Sequence, residues 1–80
     1  MGEQPTMQGQ VELGLTQGYS RLVRLGRWEG NDPGKQVAVT AFKTKLDEAC
    51  RARDVGDWHT ALRFLSDAQK ALSDLAPDAP

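Results

Sequence analysis

Apolar residues in the C-terminal half of the chain recur at intervals of three and four, a spacing that places them on one face of an α-helix. The first such face is formed by Val39, Phe42, Leu46, Ala49 and Cys50. Before it stand Asp32, which suits an N-cap, and Pro33, which suits the first position of a helix. The pattern predicts a helix over about residues 33–54.

A second periodic face follows after a short connection. Gly56 suits the left-handed turn that ends a helix, and Asp57 suits the N-cap of the next one. The second face consists of Trp58, Ala61, Leu62, Leu65, Ala68 and Leu72, and Pro77 closes the pattern. We therefore expect a helix over about residues 57–76. Two helices of matched length across a short connection predict an antiparallel helical hairpin, so the fold class is mostly α.

The hairpin carries more apolar surface than its two helices can cover on each other. On the second helix the extra apolar residues are Phe64, Ala71 and Leu75, and on the first they are Val37 and Ala41. Such a surplus indicates a third packed element or a second chain. We therefore expect the three residues of the second helix to mediate self-association, with a homodimer as one arrangement.

The N-terminal region leaves two folded alternatives open, and disorder is the third. Residues 11–16 alternate between apolar and polar or small side chains, which is the period of a half-buried strand. A turn at Gly18 would return the chain as a second strand and give a β-hairpin over residues 10–28. The apolar residues of this region also fit one face of a short helix that starts at about Ser20. The glycines weaken a helix without deciding between the two.

Either N-terminal element is expected to pack on one face of the helical hairpin. This arrangement predicts one small domain over residues 10–76. The flanking segments, residues 1–9 and 77–80, are expected to be mobile tails.

Composition limits how such a domain can be stabilised. The chain has 80 residues, of which 39% are hydrophobic and 26% charged, values typical of a globular domain with one small core. Its one cysteine, Cys50, excludes an internal disulfide, and one histidine, His59, does not complete the usual ligand set of a zinc site. We expect no metal and no cofactor, so stability must come from packing or association.

Two further features concern location. No apolar run approaches the roughly 18 residues of a membrane-spanning helix, so we expect no membrane partner. A lone thiol without an export signal is typical of a reducing compartment, which predicts a cytoplasmic protein.

Charge is unevenly distributed although the net charge is −1. Residues 19–45 hold six basic and two acidic residues, a net charge of +4, between two acidic flanks. Within this basic segment, four residues combine guanidinium groups with an indole: Arg21, Arg24, Arg27 and Trp28. These residue types are common in interface hot spots, and they suit an acidic protein surface or a nucleic acid. We expect these four residues to bind a partner.

The sequence offers no set of residues that would support catalysis. Cys50 lies on an apolar helix face without a basic neighbour, so it is expected to be an unreactive core residue. Asp47 and Glu48 point to different sides of one helix, and no glycine-rich phosphate loop is present. We therefore expect neither an enzyme nor a small-molecule substrate.

One local resemblance concerns the connection and second helix of the hairpin. The residues that carry it are the run Gly56-Asp57-Trp58-His59-Thr60-Ala61-Leu62, with Phe64 and Ala68. This stretch, residues 56–68, resembles the turn and second helix of a single tetratricopeptide-type helical hairpin. The resemblance implies that Gly56 lets the two helices approach and that Trp58 packs back on the first helix. It also implies close helix contact at Ala61 and Ala68.

Together these features predict a small non-catalytic binding or regulatory protein, such as an adaptor, that acts through protein–protein contact. A nucleic-acid-binding regulator that uses the basic 19–45 segment is one alternative. A structural subunit of a homo-oligomer is the other.

Overall fold

The computed structural model describes residues 6–80, which form three α-helices and contain no strand. The helices are α1 (Met7–Glu29), α2 (Pro33–Asp54) and α3 (Trp58–Leu75). Short connections make successive helices antiparallel; α2 and α3 share the most extensive contact, and α1 packs on both. The predicted helical hairpin is confirmed, and its helices begin and end within one residue of the predicted bounds.

The two helices of the hairpin begin directly after the N-cap residues predicted from the sequence, Asp32 and Asp57. The Asp32 carboxylate accepts a hydrogen bond from the Gly34 backbone N–H at 2.9 Å. The Asp57 carboxylate accepts from the Thr60 backbone N–H at 3.2 Å and from the Thr60 hydroxyl at 2.7 Å. Gly56 follows α2 with a φ of +77°, a conformation in which a side chain would be strained.

The N-terminal region differs from both predicted folded alternatives. Residues 7–29 form one long helix, so the β-hairpin over residues 10–28 is wrong and the short helix from Ser20 starts too late. Helical spacing decides the core positions, because Val11 and Leu15 are buried whereas the alternating residue Leu13 is 58% exposed. The helix includes residues 7–9, which we assigned to a tail; residues 1–5 of that tail lie outside the described residues.

Two glycines explain how α1 comes close to the hairpin. A Cβ atom on Gly18 would lie 2.6 Å from Cδ2 of Leu46, and one on Gly14 would lie 2.8 Å from Cδ1 of Leu65. These separations are shorter than carbon atoms tolerate, so a side chain at either position would displace the leucine methyl group that it meets. Gly14 and Gly18, which weaken a helix in isolation, are therefore positions at which α1 comes close to α3 and α2.

The core between the helices is entirely apolar, since no polar or charged side chain among the described residues is buried. Phe42, Leu46 and Leu72 are its largest members from the hairpin, and Leu25 is the largest from α1. Ala61 and Ala68 are fully buried on α3.

The segment after α3 folds back on the helices. The Ala79 backbone N–H donates to the Ala76 carbonyl oxygen at 3.0 Å, and the Ala79 side chain packs against the core. The Pro80 carbonyl oxygen accepts a hydrogen bond of 2.7 Å from Nε of Arg21. The predicted mobility of residues 77–80 stays a prediction.

Over the described residues, none of the helices has the length and apolar character needed to cross a membrane.

Candidate partner-binding site

The four residues predicted to bind a partner all lie on the C-terminal half of α1. The three arginines follow one another at intervals of three residues, so they form one stripe over two helical turns. Arg24 and Arg27 are exposed, whereas Arg21 and Trp28 are half-buried. We call the stripe of Arg21, Arg24 and Arg27 the basic face.

Arg21 is held by contacts to two other parts of the chain. Its guanidinium carbon lies 5.8 Å from the centroid of the Phe42 ring on α2, which is within the range of a cation–π contact. Its Nε donates to the Pro80 carbonyl oxygen. These contacts limit the freedom of the guanidinium group, so the cost of ordering it on binding is reduced.

Trp28 occupies a different position from the arginines. Its ring packs against the core, and Nζ of Lys35 on α2 lies 4.8 Å from the ring centroid. One face of the indole is therefore already covered by a cation at the junction of α1 and α2. Trp28 therefore resembles a structural residue of this junction more than an exposed residue that anchors a partner.

The basic face has no acidic partner within the described part of the chain. The one ion pair found over residues 6–80 joins Arg53 to Asp54 at 3.1 Å, so no described Asp or Glu carboxylate lies within 4.0 Å of the three guanidinium groups. Between Glu12 and Glu29, α1 itself carries no acidic residue. This face consequently presents positive charge that the described residues do not neutralise.

Two arginines of the basic face also line a groove between α1 and α3, with a volume of about 430 Å³. We call it the α1–α3 groove. Its polar and aromatic lining consists of Thr16, Gln17, Ser20, Arg21, Arg24, Phe42 and Gln69, and Gly14 and Gly18 complete it. The lining is rich in hydrogen-bond donors and includes no carboxylate, so it suits a ligand that offers oxygen acceptors. Arg27 and Trp28 are outside this lining.

Gln17, Ser20 and Gln69 also line the groove, although the sequence alone does not indicate them as site residues. Gln69 lies 48 residues after Arg21 and reaches the groove only because α3 packs beside α1. A usable signal was present in the four-residue spacing of Gly14 and Gly18, which predicts close helix packing next to the arginines if the segment is helical.

Two of the three remaining bases of residues 19–45 lie over aromatic rings. Lys35 covers the Trp28 ring, and Nζ of Lys45 lies 5.4 Å from the centroid of the Phe64 ring on the flank of α3. Lys45 therefore lies where α2 meets α3, whereas the basic face belongs to α1.

The residues predicted to self-associate lie along one flank of α3, but they do not share one cavity. Phe64 lines an open groove of about 630 Å³ between α2 and α3, together with Thr44, Glu48 and Arg51. Leu75 is 56% exposed and lines a smaller hollow of about 270 Å³ with Lys35 and Asp78, and Ala71 is half-buried.

Tyr19 connects α1 to α2 through its hydroxyl group. The hydroxyl donates to the Asp47 carboxylate at 2.8 Å and lies 3.5 Å from Sγ of Cys50. Burial raises the pKa of Tyr19 well above its usual range, and the hydrogen bonds with Cys50 and Asp47 act in the same direction. The phenol is therefore a neutral donor at physiological pH, and Cys50 is a half-buried thiol beside it.

Within residues 6–80, no three His, Cys, Asp or Glu side chains come together as a set of metal ligands. His59 is exposed at the start of α3.

No protein-family model, curated protein or solved structure matches this chain.

Proposed function

We propose that this chain is a small non-catalytic binding or regulatory protein that recognises an acidic protein partner through the basic face of α1. One observation carries the proposal. Three guanidinium groups occupy two turns of one helix, no described Asp or Glu carboxylate pairs with them, and two of them line a donor-rich groove. Charge of this kind steers and orients a partner of opposite charge.

A protein partner fits this charge distribution better than a nucleic acid does. Nucleic-acid binding needs a basic surface that follows the phosphate backbone, and domains with that function usually have a pI above about 9. Here the sequence pI is about 5.7, and two of the three lysines of residues 19–45, Lys35 and Lys45, lie over the Trp28 and Phe64 rings. A local acidic patch on a protein matches the size of the basic face.

The proposal excludes catalysis because the groove lacks the groups that chemistry at neutral pH requires. Its polar lining consists of guanidinium, amide and hydroxyl groups, with no carboxylate, imidazole or thiol to act as a base or nucleophile. The proposal includes neither a cofactor nor a small-molecule substrate. We also propose a cytoplasmic location, which the lone thiol of Cys50 supports.

Affinity capture with matched variants tests the proposal. The bait variant changes Arg21, Arg24 and Arg27 to Gln, and the control variant changes Arg51, Arg63 and Lys70 to Gln. Both variants lose three positive charges, but the control residues are exposed on α2 and α3 and lie outside residues 19–45. Each protein is used to capture partners from the cell that produces it, with and without nuclease, and the captured proteins are identified by mass spectrometry.

We expect an acidic protein that the wild type and the control variant retain after nuclease treatment and that the Arg21, Arg24 and Arg27 variant loses. Retention of the same proteins by both variants would overturn the role of the basic face. Loss of every partner on nuclease treatment would show that nucleic acid is the ligand.

A homodimer is the second candidate function. The observation in its favour is the exposure of two apolar residues on the hairpin, since Val37 is 62% and Leu75 is 56% exposed. Apolar residues at these positions are available to a second copy of the chain, on surfaces whose lining residues differ from those of the α1–α3 groove.

A further inference from the structure

The chain itself shows what kind of group the α1–α3 groove accepts. Arg21, which lines the groove, already donates to a backbone carbonyl oxygen, that of Pro80, at 2.7 Å. The acceptor belongs to a non-helical segment that folds back over the bundle after α3. A guanidinium of the groove is therefore engaged by an oxygen of a peptide segment.

We infer that the α1–α3 groove binds an extended acidic peptide segment of the partner, and that residues 77–80 of this chain compete with that segment for Arg21. The inference rests on the proposed function and specifies the chemistry of the ligand. An acidic peptide supplies carboxylates for the arginines and backbone carbonyl groups for the remaining donors.

The spacing of the donors fits a short extended chain. Gln17, Arg21 and Arg24 lie on successive turns of α1, and seven residues of helix span about 10 Å at 1.5 Å per residue. An extended peptide covers that distance in about three residues at ~3.3 Å each. Gln69 on the α3 side can pair with the backbone of the same peptide.

Residues 77–80 are bound to the groove lining through Arg21, and none of them is itself part of that lining. Their single acidic residue, Asp78, lies in the hollow beside Lys35 rather than in the groove. Pro80 contributes one backbone oxygen, and Arg24 donates no hydrogen bond to residues 77–80. A peptide with two or more carboxylates forms stronger, charge-assisted hydrogen bonds with both arginines, so it is able to displace this segment.

Fluorescence anisotropy with a labelled hexaglutamate peptide tests the inference on the full chain. The key variant is Arg24→Gln, because Arg24 lines the groove and its side chain is exposed. The matched control is Arg27→Gln, which removes the same charge from the same helix outside the groove lining. A second variant, Gln69→Glu, places a negative charge in the groove from α3 and leaves α1 unchanged.

We expect Arg24→Gln and Gln69→Glu each to weaken peptide binding about tenfold, the change that loss of one charge-assisted hydrogen bond produces. Arg27→Gln should weaken binding less than about threefold, because only long-range attraction is lost. Equal effects of Arg24→Gln and Arg27→Gln would overturn the groove while leaving the basic face intact. Failure of hexaglutamate to bind wild type at millimolar concentration would also overturn the groove, and the capture experiment would still decide the proposed function.

Competition by residues 77–80 has its own measurement in the same samples. Saturation with hexaglutamate should move the methyl resonance of Ala79 towards the position of an unfolded alanine. The reason is that residues 77–80 leave the core when the peptide binds Arg21. An unchanged Ala79 resonance at saturation would overturn the competition. A single-stranded DNA oligonucleotide of equal charge that binds more tightly than the peptide would overturn the peptide as ligand.

Discussion

At the scale of single residues, Tyr19 is the most specific polar link between helices. Its hydroxyl group joins α1 to Asp47 and Cys50 on α2, among contacts that are otherwise largely apolar. Because the phenol donates to a charged acceptor, its removal leaves the carboxylate with one partner fewer.

We predict that Tyr19→Phe lowers the free energy of unfolding at neutral pH by about 1 kcal/mol, the usual value of one such hydrogen bond. The folded state raises the pKa of Tyr19 above its ordinary value of 10.0, so the stabilisation is complete below pH 10.0 and is lost as the pH rises through the folded-state pKa. Urea unfolding at pH 7 and at alkaline pH tests this. In alkali, the wild-type protein should lose its advantage in free energy of unfolding over Tyr19→Phe. An advantage that persists unchanged would contradict the stabilising role of the Tyr19 hydroxyl group.

Asp57 at the start of α3 makes the stability of the fold depend on pH in the opposite direction. Hydrogen bonds from the hydroxyl and backbone N–H of Thr60 lower the pKa of Asp57 below its ordinary value of 3.8. The stabilisation is therefore present above pH 3.8 and is lost as the pH falls through the folded-state pKa. We predict that Asp57→Asn, which still caps the helix but does not ionise, shows a smaller loss of stability in acid than wild type. Thermal unfolding of both proteins from pH 6 to pH 2 measures this loss. Unfolding temperatures that fall in parallel for wild type and Asp57→Asn would refute the prediction.

At the scale of elements, the glycines of α1 divide into two kinds. Gly18 faces Leu46 at a distance that leaves no room for a methyl group, whereas Gly26 has no atom within 4 Å of its Cβ position. The same residue type therefore has a packing role at one position and none at the other.

We predict opposite effects of alanine at these two positions. Gly26→Ala should raise the free energy of unfolding by about 0.5–1 kcal/mol, because alanine favours the helix and meets nothing. Gly18→Ala should lower it by about 1 kcal/mol, because overpacking against the buried Leu46 exceeds that gain. Chemical denaturation of the two variants measures both changes, and stabilisation by Gly18→Ala would contradict the close approach of α1 and α2.

A helix could be predicted from the sequence when the residues that indicate it lie close together along the chain. α2 and α3 were predictable because their spacing, caps and terminating residues are all local in sequence. α1 was not, since its glycines favour a helix only when α2 and α3 provide the contacts that fill the space they leave. The candidate site shows the same division: its arginines could be identified from sequence, but Gln69 joins them only through the packing of α3 on α1.

At the scale of the whole molecule, the chain presents two separate surfaces. The α1–α3 groove and its arginines lie on one, and the apolar residues of the hairpin flank lie on another, with no lining residue in common.

We predict that wild type associates towards dimers at high micromolar concentration and that Leu75→Lys abolishes this, because a charge at a 56% exposed apolar position opposes burial between chains. The matched control is Val23→Lys, which changes a residue of similar exposure, 65%, on α1. Sedimentation equilibrium measures the mass of each protein. A wild-type mass of 8.8 kDa at every concentration measured would exclude the homodimer.

The central claim is that an acidic segment binds between α1 and α3, and the position of binding tests it most directly. In a titration of isotope-labelled protein with hexaglutamate, followed by the amide resonances of every residue, we predict the largest shifts at Gln17, Arg21, Arg24 and Gln69. The Gln69 side-chain amide is decisive, because it comes from α3 and carries no charge that would attract the peptide by itself. Shifts confined to Phe64 and Leu75 on the hairpin flank, or no shifts at saturating peptide, would contradict the account.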